Sequence, residues 1–456
     1  MSKDLTKGHP TKVLLMFTLP LLLGNIFQQF YNIADSVVVG KFVNENALGA
    51  VGSSFPILYL SIAVAAGVGT GCGVVISQYY GAQKMTEVKS TINTSIITFL
   101  VLGVVFAVLG QFIIEPMLAL LKSPAEIIQY SKDYLSWIFL GSIFTFLYNV
   151  CNAIFTALGD SKTPMFMLMI AASVNVVLDL IFVIYFHMEV VGVAVATVIA
   201  QALAALVSYY LLRKRLETIY CEEKPKRFDT QLLKKIVHIA LPSTLQQSMI
   251  SIGMLAVQGL INNFGNVVVA GFTAAQKIDS IAMMPMMNVS NAMSTFTAQN
   301  IGADEIKRIR QGYWGALRAA FVTCIVISVA VFLFGDVLIG LFVDQSANAG
   351  VYQVGTEYLK VVSIFYFLMS LLFVTNGVLR GSGDMRAFLV SSTVNLVSRV
   401  VFAYLLAPVI GYTAIFWAIP IGWSIGTIIS ILRYRTGKWQ SKALVRKEAM
   451  AELEFN

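Results

Sequence analysis

The chain has 456 residues, of which 57% are hydrophobic and only 12% charged. Soluble globular proteins carry about 25% charged residues, so this composition excludes an ordinary soluble domain and points to an integral membrane protein. The net charge of +8 reflects where the basic residues lie along the chain and requires no nucleic-acid partner.

Apolar runs recur throughout, each long enough to cross roughly 30 Å of hydrocarbon as a helix. Spanning segments must satisfy their own backbone, which leaves helices or closed barrels. The runs are far too long for barrel strands of about 10 residues. The predicted fold class is therefore all-α integral membrane. Twelve transmembrane spans are predicted, at 13–39, 47–78, 91–115, 132–157, 164–186, 190–212, 236–262, 267–297, 314–343, 356–379, 387–408 and 411–432.

Span 1 contains "GNIFQQFYNIADSVVVG", residues 24–40. Gln28, Asn32 and Asp35 follow the i, i+4, i+7 spacing of one helix face, with Asn25 a turn earlier. Tyr31 lies four residues before Asp35 and adjoins it. A carboxylate at membrane depth is costly, so it faces a cavity or a partner. Span 5 supplies the partner. "SVNVVLDLIF" sets Asn175 and Asp179 on one face. Counting 1.5 Å per residue from the cytoplasmic ends puts Asp35 and Asp179 in the outer half of the bilayer. Two acids, several amides, Tyr31 and Thr197 of span 6 make an oxygen-rich pocket suited to a proton or a hard cation such as sodium. Such a pair would titrate as a unit.

The polar segment 213–235 divides the chain. The predicted organisation is a lobe at 1–212, a cytoplasmic linker at 213–235, a second lobe at 236–435 and a charged tail at 436–456. The two sides repeat in register. "LP" at 19–20 returns at 241–242, and "SQYYGAQ" at 77–83 returns as "AQNIGAD" at 298–304. "YLSWIFLGSIFTFLYNVCNAIFTALGDSKT" at 134–163 returns as "YLKVVSIFYFLMSLLFVTNGVLRGSGDMRA" at 358–387, and "SVNVVLD" at 173–179 as "TVNLVSR" at 393–399. Six spans per half in the same orientation imply a pseudo-two-fold axis along the membrane normal. Most of the 32 Lys and Arg residues fall on the side of the termini, which are therefore expected in the cytoplasm.

The ordered set "NIADSVVVGKF", "SQYYGAQ", "AQNIGAD", "ALGDSKTP" and "LRGSGD", with the 6+6 repeat, resembles the multidrug and toxic compound extrusion (MATE) family over about residues 10–435. The resemblance implies cation-coupled export of bulky, often cationic, amphipathic molecules across a bacterial plasma membrane. In the branch whose cation site lies in the N-terminal half, the matching positions are Tyr31, Asp35, Asn149, Asn175, Asp179 and Thr197. Asn152 rivals Asn149, because it aligns with Asn376 in the internal repeat.

The C-half departs from a second branch, which has acids in helices 7 and 10. Neither 236–262 nor 356–379 holds an intramembrane acid beyond Glu357 at its start. Arg399 stands where the N-half has Asp179, so coupling is assigned to the N-half alone. Arg399 is read either as structural, bonding carbonyls or Asn395, or as a substrate or gating contact. Lys277 and Asp279 are expected to form a solvated pair. The "MMPMMN" run, 283–288, is read as core and lipid-facing filler or as a cavity wall through Met283 and Met287. The expected substrate cavity thus takes in Gln28, Asn32, Met283, Met287 and Arg399. Asp384, in the cytoplasmic "GSGD" turn with Arg380 and Arg386 near, is expected to cap or to close the inner gate through local pairing.

No nucleophile-and-base arrangement or phosphate loop is present, and Cys72, Cys151, Cys221 and Cys324 lack metal-ligand spacing. The chain reads as a non-enzyme with no cofactor. Its expected partners are a small amphipathic substrate, a proton or sodium ion and membrane lipid, with no obligate protein partner. A lipid-linked saccharide flippase and a non-transporting receptor or scaffold are the competing readings. The first should line its cavity with several Arg and Lys; the second leaves the paired acids unexplained.

Overall fold

The structure, a computed structural model, describes residues 4–43, 45–121, 123–340 and 349–445. These residues form fourteen α-helices and no strand. In chain order the helices are α1 (Pro10–Phe42), α2 (Glu45–Gly81), α3 (Met85–Leu120), α4 (Ala125–Leu140), α5 (Ser142–Ala157), α6 (Lys162–Leu180), α7 (Glu189–Glu217), α8 (Thr230–Asn262), α9 (Asn266–Gly302), α10 (Ile306–Gly340), α11 (Ala349–Ser363), α12 (Tyr366–Gly381), α13 (Met385–Ile410) and α14 (Thr413–Arg435).

Among the described residues, nine single helices are long and apolar enough to cross a membrane, and two bent pairs bring the number to eleven. The predicted span 236–262 falls on α8, which is long but does not reach the same apolarity, having Gln246, Gln247, Ser248, Ser251 and Gln258 along it. The last residues of the predicted span 314–343 lie outside the described residues, as does the tail beyond Val445.

Two predicted single spans are each broken in two. α4 and α5 meet at 51°, and α11 and α12 meet at 55°. At the first break Gly141 packs close against α7: a Cβ there would sit 2.4 Å from Val198 Cγ2. Only glycine lets the start of α5 approach α7 this closely. The two breaks occupy matching positions in the internal repeat. Other matched details follow. Gln83 and Asp304, which end the two "GAQ/GAD" motifs, both adopt positive φ (59° each). Gly159 and Gly383 do the same at 79° and 83°. The repeat is therefore one of backbone geometry as well as of letters.

The chain forms two compact units, one made chiefly of Leu19–Thr244 and the other of Leu5–Thr18 with Leu245–Asn456. The division falls inside α1 and inside α8. Each unit is clasped by a segment that leads into a long helix. In the first, Lys226 N donates to Ser90 Oγ (3.0 Å), Asp229 N to Thr94 Oγ1 (3.0 Å), and Asn93 Nδ2 to Lys226 O (3.1 Å). In the second, Leu5 N donates to Gln299 Oε1 (3.1 Å), Asn300 Nδ2 to Leu5 O (3.2 Å), and Arg308 Nη1 to Gly8 O (2.8 Å). Non-helical backbone needs such partners because unpaired buried amides are expensive.

Each unit also carries a partly buried Asp–Arg pair at the start of a helix. Asp160 accepts from Lys162 N and Thr163 N (both 3.1 Å), capping α6, and from Arg215 Nη1 (3.0 Å). Asp384, only 3% exposed, accepts from Arg433 Nε at 2.6 Å. The expected partners of Asp384 are thus corrected. Arg380 turns instead to α9, donating to Asn291 Oδ1 (2.8 Å) and Ser294 Oγ (3.2 Å). The physical reason is reach: the Asp384 carboxylate faces α14, on the far side of the turn from Arg380.

Candidate cation site of the N-terminal unit

Three helices bring the N-terminal acids together. α6 presents Asn175 and Asp179, 1% and 0% exposed, one turn apart on its buried face. α1 presents Asp35 and Tyr31, and α7 presents Thr197, also buried. Immediately after Asp179 the helix widens into a π-turn at Ile181–Tyr185. Such bulges re-aim side chains and recur at functional sites.

Asp35 and Asp179 both lie within reach of Asn175, and Asn175 also meets Thr197. Asn175 lies between the acids. Its amide orientation follows from its neighbours: with nitrogen toward the acids, Nδ2 donates to Asp35 Oδ1 (2.9 Å) and Asp179 Oδ2 (3.1 Å). Its oxygen then accepts from Thr197 N (3.1 Å) and Thr197 Oγ1 (3.2 Å). The reverse orientation would press a carbonyl against two carboxyl oxygens. Asp179 Oδ1 is shielded from solvent and has no hydrogen-bond partner among the described residues.

In the second unit, Asp279 of α9 is buried, at 6% exposure, and accepts from Tyr366 OH (2.7 Å) and Tyr358 OH (3.1 Å). The expected solvated pairing with Lys277 is corrected: Lys277 is exposed, and the acid is turned inward. Helix periodicity explains the difference, since positions two apart point to different faces.

The comparisons with known proteins agree on one family. The MatE family profile matches residues 20–181 and again 242–405, one copy in each half of the chain. The chain belongs to the MatE family. Its relatives include a probable multidrug resistance protein, YpnP, of Bacillus subtilis, 31% identical over 97% of this chain and 98% of the relative. The multidrug export protein MepA of Staphylococcus aureus is 22% identical over 93% and 94%. Among solved structures, an outward-facing multidrug resistance MATE family transporter matches with TM-score 0.88 and 26% identity over 96% of this chain and 98% of that one. A Pyrococcus furiosus transporter of the MOP superfamily, described as having a binding pocket of reversed polarity, matches with TM-score 0.88 and 25% identity over the same shares. This MatE chain is accordingly a multi-pass plasma-membrane transporter of the multidrug efflux family, with a two-lobe helical fold, and not an enzyme.

Within this MatE protein the residues singled out from sequence divide into two groups. Tyr31, Asp35, Asn175, Asp179 and Thr197 converge as described. Asn149 instead donates to Thr145 O of its own helix (2.8 Å), and Asn152 Oδ1 is buried without a hydrogen-bond partner among the described residues. Gln28 donates to Asn32 Oδ1 (3.3 Å), and Asn32 is exposed, so these amides run along the surface of α1. Met287 is 51% exposed and Met283 half-buried; Met286 between them is the core residue, against Cys324 Sγ at 3.5 Å.

Sequence reasoning missed Tyr134, Arg215 and Arg433. Tyr134 of α4 is buried and close enough to interact electrostatically with Asp35 and Asp179. The repeat contained its signal. The same alignment that pairs 134–163 with 358–387 places Tyr134 opposite Tyr358, the tyrosine that holds Asp279.

Proposed function

We propose that this protein is a proton- or sodium-coupled antiporter that exports amphipathic small molecules, with the coupling ion bound at Asp35, Asp179 and Asn175. The observation that carries this reading is the contact of Asn175 Nδ2 with both carboxyls, at 2.9 and 3.1 Å, in an otherwise buried pocket. A proton shared between the acids, or a monovalent cation between them, neutralises charge that burial makes costly. Among the described residues no third His, Cys, Asp or Glu joins them as a metal-ligating group, and a hard divalent ion prefers more oxygen ligands than this. The orphan Asp179 Oδ1 supplies an acceptor for the ion.

Release of the ion re-exposes the repulsion between the acids and favours separation of α1 from α6. That separation is the bistable element on which transport depends. The lobe boundaries at the polar 213–235 segment, the pseudo-two-fold axis and the cytoplasmic termini belong to the same proposal. Residues Asn149, Asn152, Gln28 and Asn32 are assigned to the surroundings of the site rather than to the ion itself.

The test is transport of a fluorescent amphipath into inverted vesicles, with pH and sodium gradients imposed separately. One gradient should drive uptake in the wild type, and neither should drive it in Asp179→Asn. Equal gradient-driven rates in the two proteins would overturn the assignment.

A further inference from the structure

Two spaces border α8, and they differ in size. The one between α8 and α13, beside Arg399, has only about 20 Å³ of room. That seats about one water and no larger ligand. The other is a groove of about 420 Å³ along the first turns of α8, lined by Leu233, Lys234, Val237, His238, Leu241 and Pro242. Its volume lies within the usual range of small-molecule sites, about 300–1,000 Å³. None of its residues belongs to the cation site.

The groove follows from which face of α8 the first unit buries. Ile236, Ile239, Ala240 and Ser243 are buried, and the helix backs onto α2 at two glycines. A Cβ at Gly71 would sit 2.7 Å from Ile236 O and 2.8 Å from Ala240 Cβ, and one at Gly67 would sit 2.7 Å from Thr244 N. Only glycine permits so close an approach. The N-terminus of α8 is held as well, by the Asp229 cap on Gln231 N and Leu232 N, at 2.8 and 3.2 Å. The opposite face turns outward, with Val237 and Leu241 exposed at 47% and 56%. Leu233, Val237 and Leu241 recur every four residues as one apolar stripe, and Lys234 and His238 recur at the same spacing beside it.

Two neighbouring lysines take opposite roles. Lys235 is committed inside the unit, donating to Tyr79 OH at 2.8 Å. Lys234 and His238 are exposed and make no hydrogen bond or ion pair among the described residues. They stand where the polar segment 213–235 passes into the apolar run that begins at Ile236. In a membrane protein that transition marks the level of the lipid head groups, where amphipathic faces with basic residues settle. The shared "LP" register matches these two positions to Lys12 and Met16 of α1, so the polar pair is peculiar to α8.

We propose that this groove is a binding site for an anionic glycerophospholipid of the leaflet that borders the 213–235 segment. The Lys234 ammonium pairs with the phosphate, and the His238 imidazole donates an N–H to a second phosphate or ester oxygen. Leu233, Val237 and Leu241 lie along the glycerol and the first acyl methylenes, while the rest of the chains stay in the bilayer. An anionic head group is attracted to basic residues at this level; a zwitterionic one brings its own cation against Lys234. The site requires neither ion coupling nor transport.

The experiment is native mass spectrometry of the purified full-length protein in detergent, titrated separately with dioleoylphosphatidylglycerol and dioleoylphosphatidylcholine. The wild type should bind its first anionic lipid about fivefold or more tightly than the zwitterionic one, the scale of one lysine at a charged bilayer surface. The double variant Lys234→Gln/His238→Gln should erase most of that preference, whereas Lys234→Arg and Lys12→Gln should keep it. Val237→Asp, which sets a carboxylate beside both polar residues, should weaken binding of the anionic lipid. Equal affinity of the wild type for the two lipids overturns the proposal even if no variant folds. A preference that survives the double variant, or that Lys12→Gln loses to the same extent, would assign it to general basic charge and overturn the site. Full displacement of the anionic lipid by sodium phosphate would assign the groove to a free anion and also overturn it.

Discussion

The two units run one design with the acids in different places. In the first, the carboxylates sit on α1 and α6 and face each other through one asparagine. In the second, the equivalent of Asp179 is Arg399, the equivalent of Asn175 is Asn395, and the buried acid has moved to α9. The tyrosine on the first half of the bent span is common to both, as Tyr134 and Tyr358. Tyr358 and Tyr366 give Asp279 two O–H donors, which satisfy a lone carboxylate. Asp179 keeps an oxygen with no partner among the described residues. In the proposed reading a satisfied acid is a structural element, and a pair of acids with a vacant acceptor is the place for an exchangeable ion. The scaffold is therefore shared, and what separates the roles is whether the carboxylate's hydrogen-bonding capacity is filled by the protein.

The largest effect that tests this contrast is on transport. Asp35→Asn and Asp179→Asn should each abolish gradient-driven export, while the protein remains folded in the membrane. Transport rate against pH and sodium measures this. Asp279→Asn should leave the ion dependence where it was; if it moves the curve as far as Asp179→Asn does, both units exchange the ion and the contrast collapses.

The second effect is on stability at the turns that lead into α6 and α13. Asp384→Ala removes the partner of Arg433 and should lower unfolding stability by about 2 kcal/mol. That is below the full value of a buried pair because the arginine is partly solvated. The check is thermal unfolding of purified protein, accompanied by binding of a fluorescent substrate, which should survive. Asp160→Ala should do the same in the first unit, since Arg215 and the α6 cap both rely on it.

Asp279→Asn should cost about 1 kcal/mol, because the amide keeps one acceptor and loses the charge-assisted part of two tyrosine bonds. Tyr358→Phe and Tyr366→Phe measured in the same assay sharpen the comparison. A near-zero cost for all three would mean that the acid is not held as described.

The smallest effect lies in the linker. Asp229 caps α8 by accepting from Gln231 N (2.8 Å) and Leu232 N (3.2 Å). Asp229→Ala should lower stability by about 0.5–1 kcal/mol. Lys226, through its hydrogen bond, holds this carboxyl below its ordinary value. The folded state therefore binds the proton less readily than the unfolded one. The contribution is present above the unfolded pKa of about 3.9 and disappears as pH falls through the folded one. Loss of the cap's contribution on raising pH instead would contradict the assignment.

Composition and run length alone settled that the chain is helical and membrane-embedded, because unpaired backbone has no alternative in hydrocarbon. The repeat, visible in polar anchors such as "LP" and the paired asparagines, settled that there are two related halves. The i, i+4 spacing of Tyr31 with Asp35, and of Asn175 with Asp179, placed each pair on one helix face. None of this reaches across space. The breaks at Gly141 and near Phe365 lie inside runs that read from sequence as single spans. Asp279 reads from sequence as a surface partner of Lys277, and only packing against Tyr358 and Tyr366 turns it inward. Asn149 has the residue type for the ion site, yet the path of α5 commits it to its own backbone. Arg433 is one basic residue among several in its region until α14 brings it to Asp384. Periodicity fixes which side of a helix a residue occupies; the neighbour on that side is decided by tertiary packing, and with it whether a buried polar group is satisfied or left free to bind.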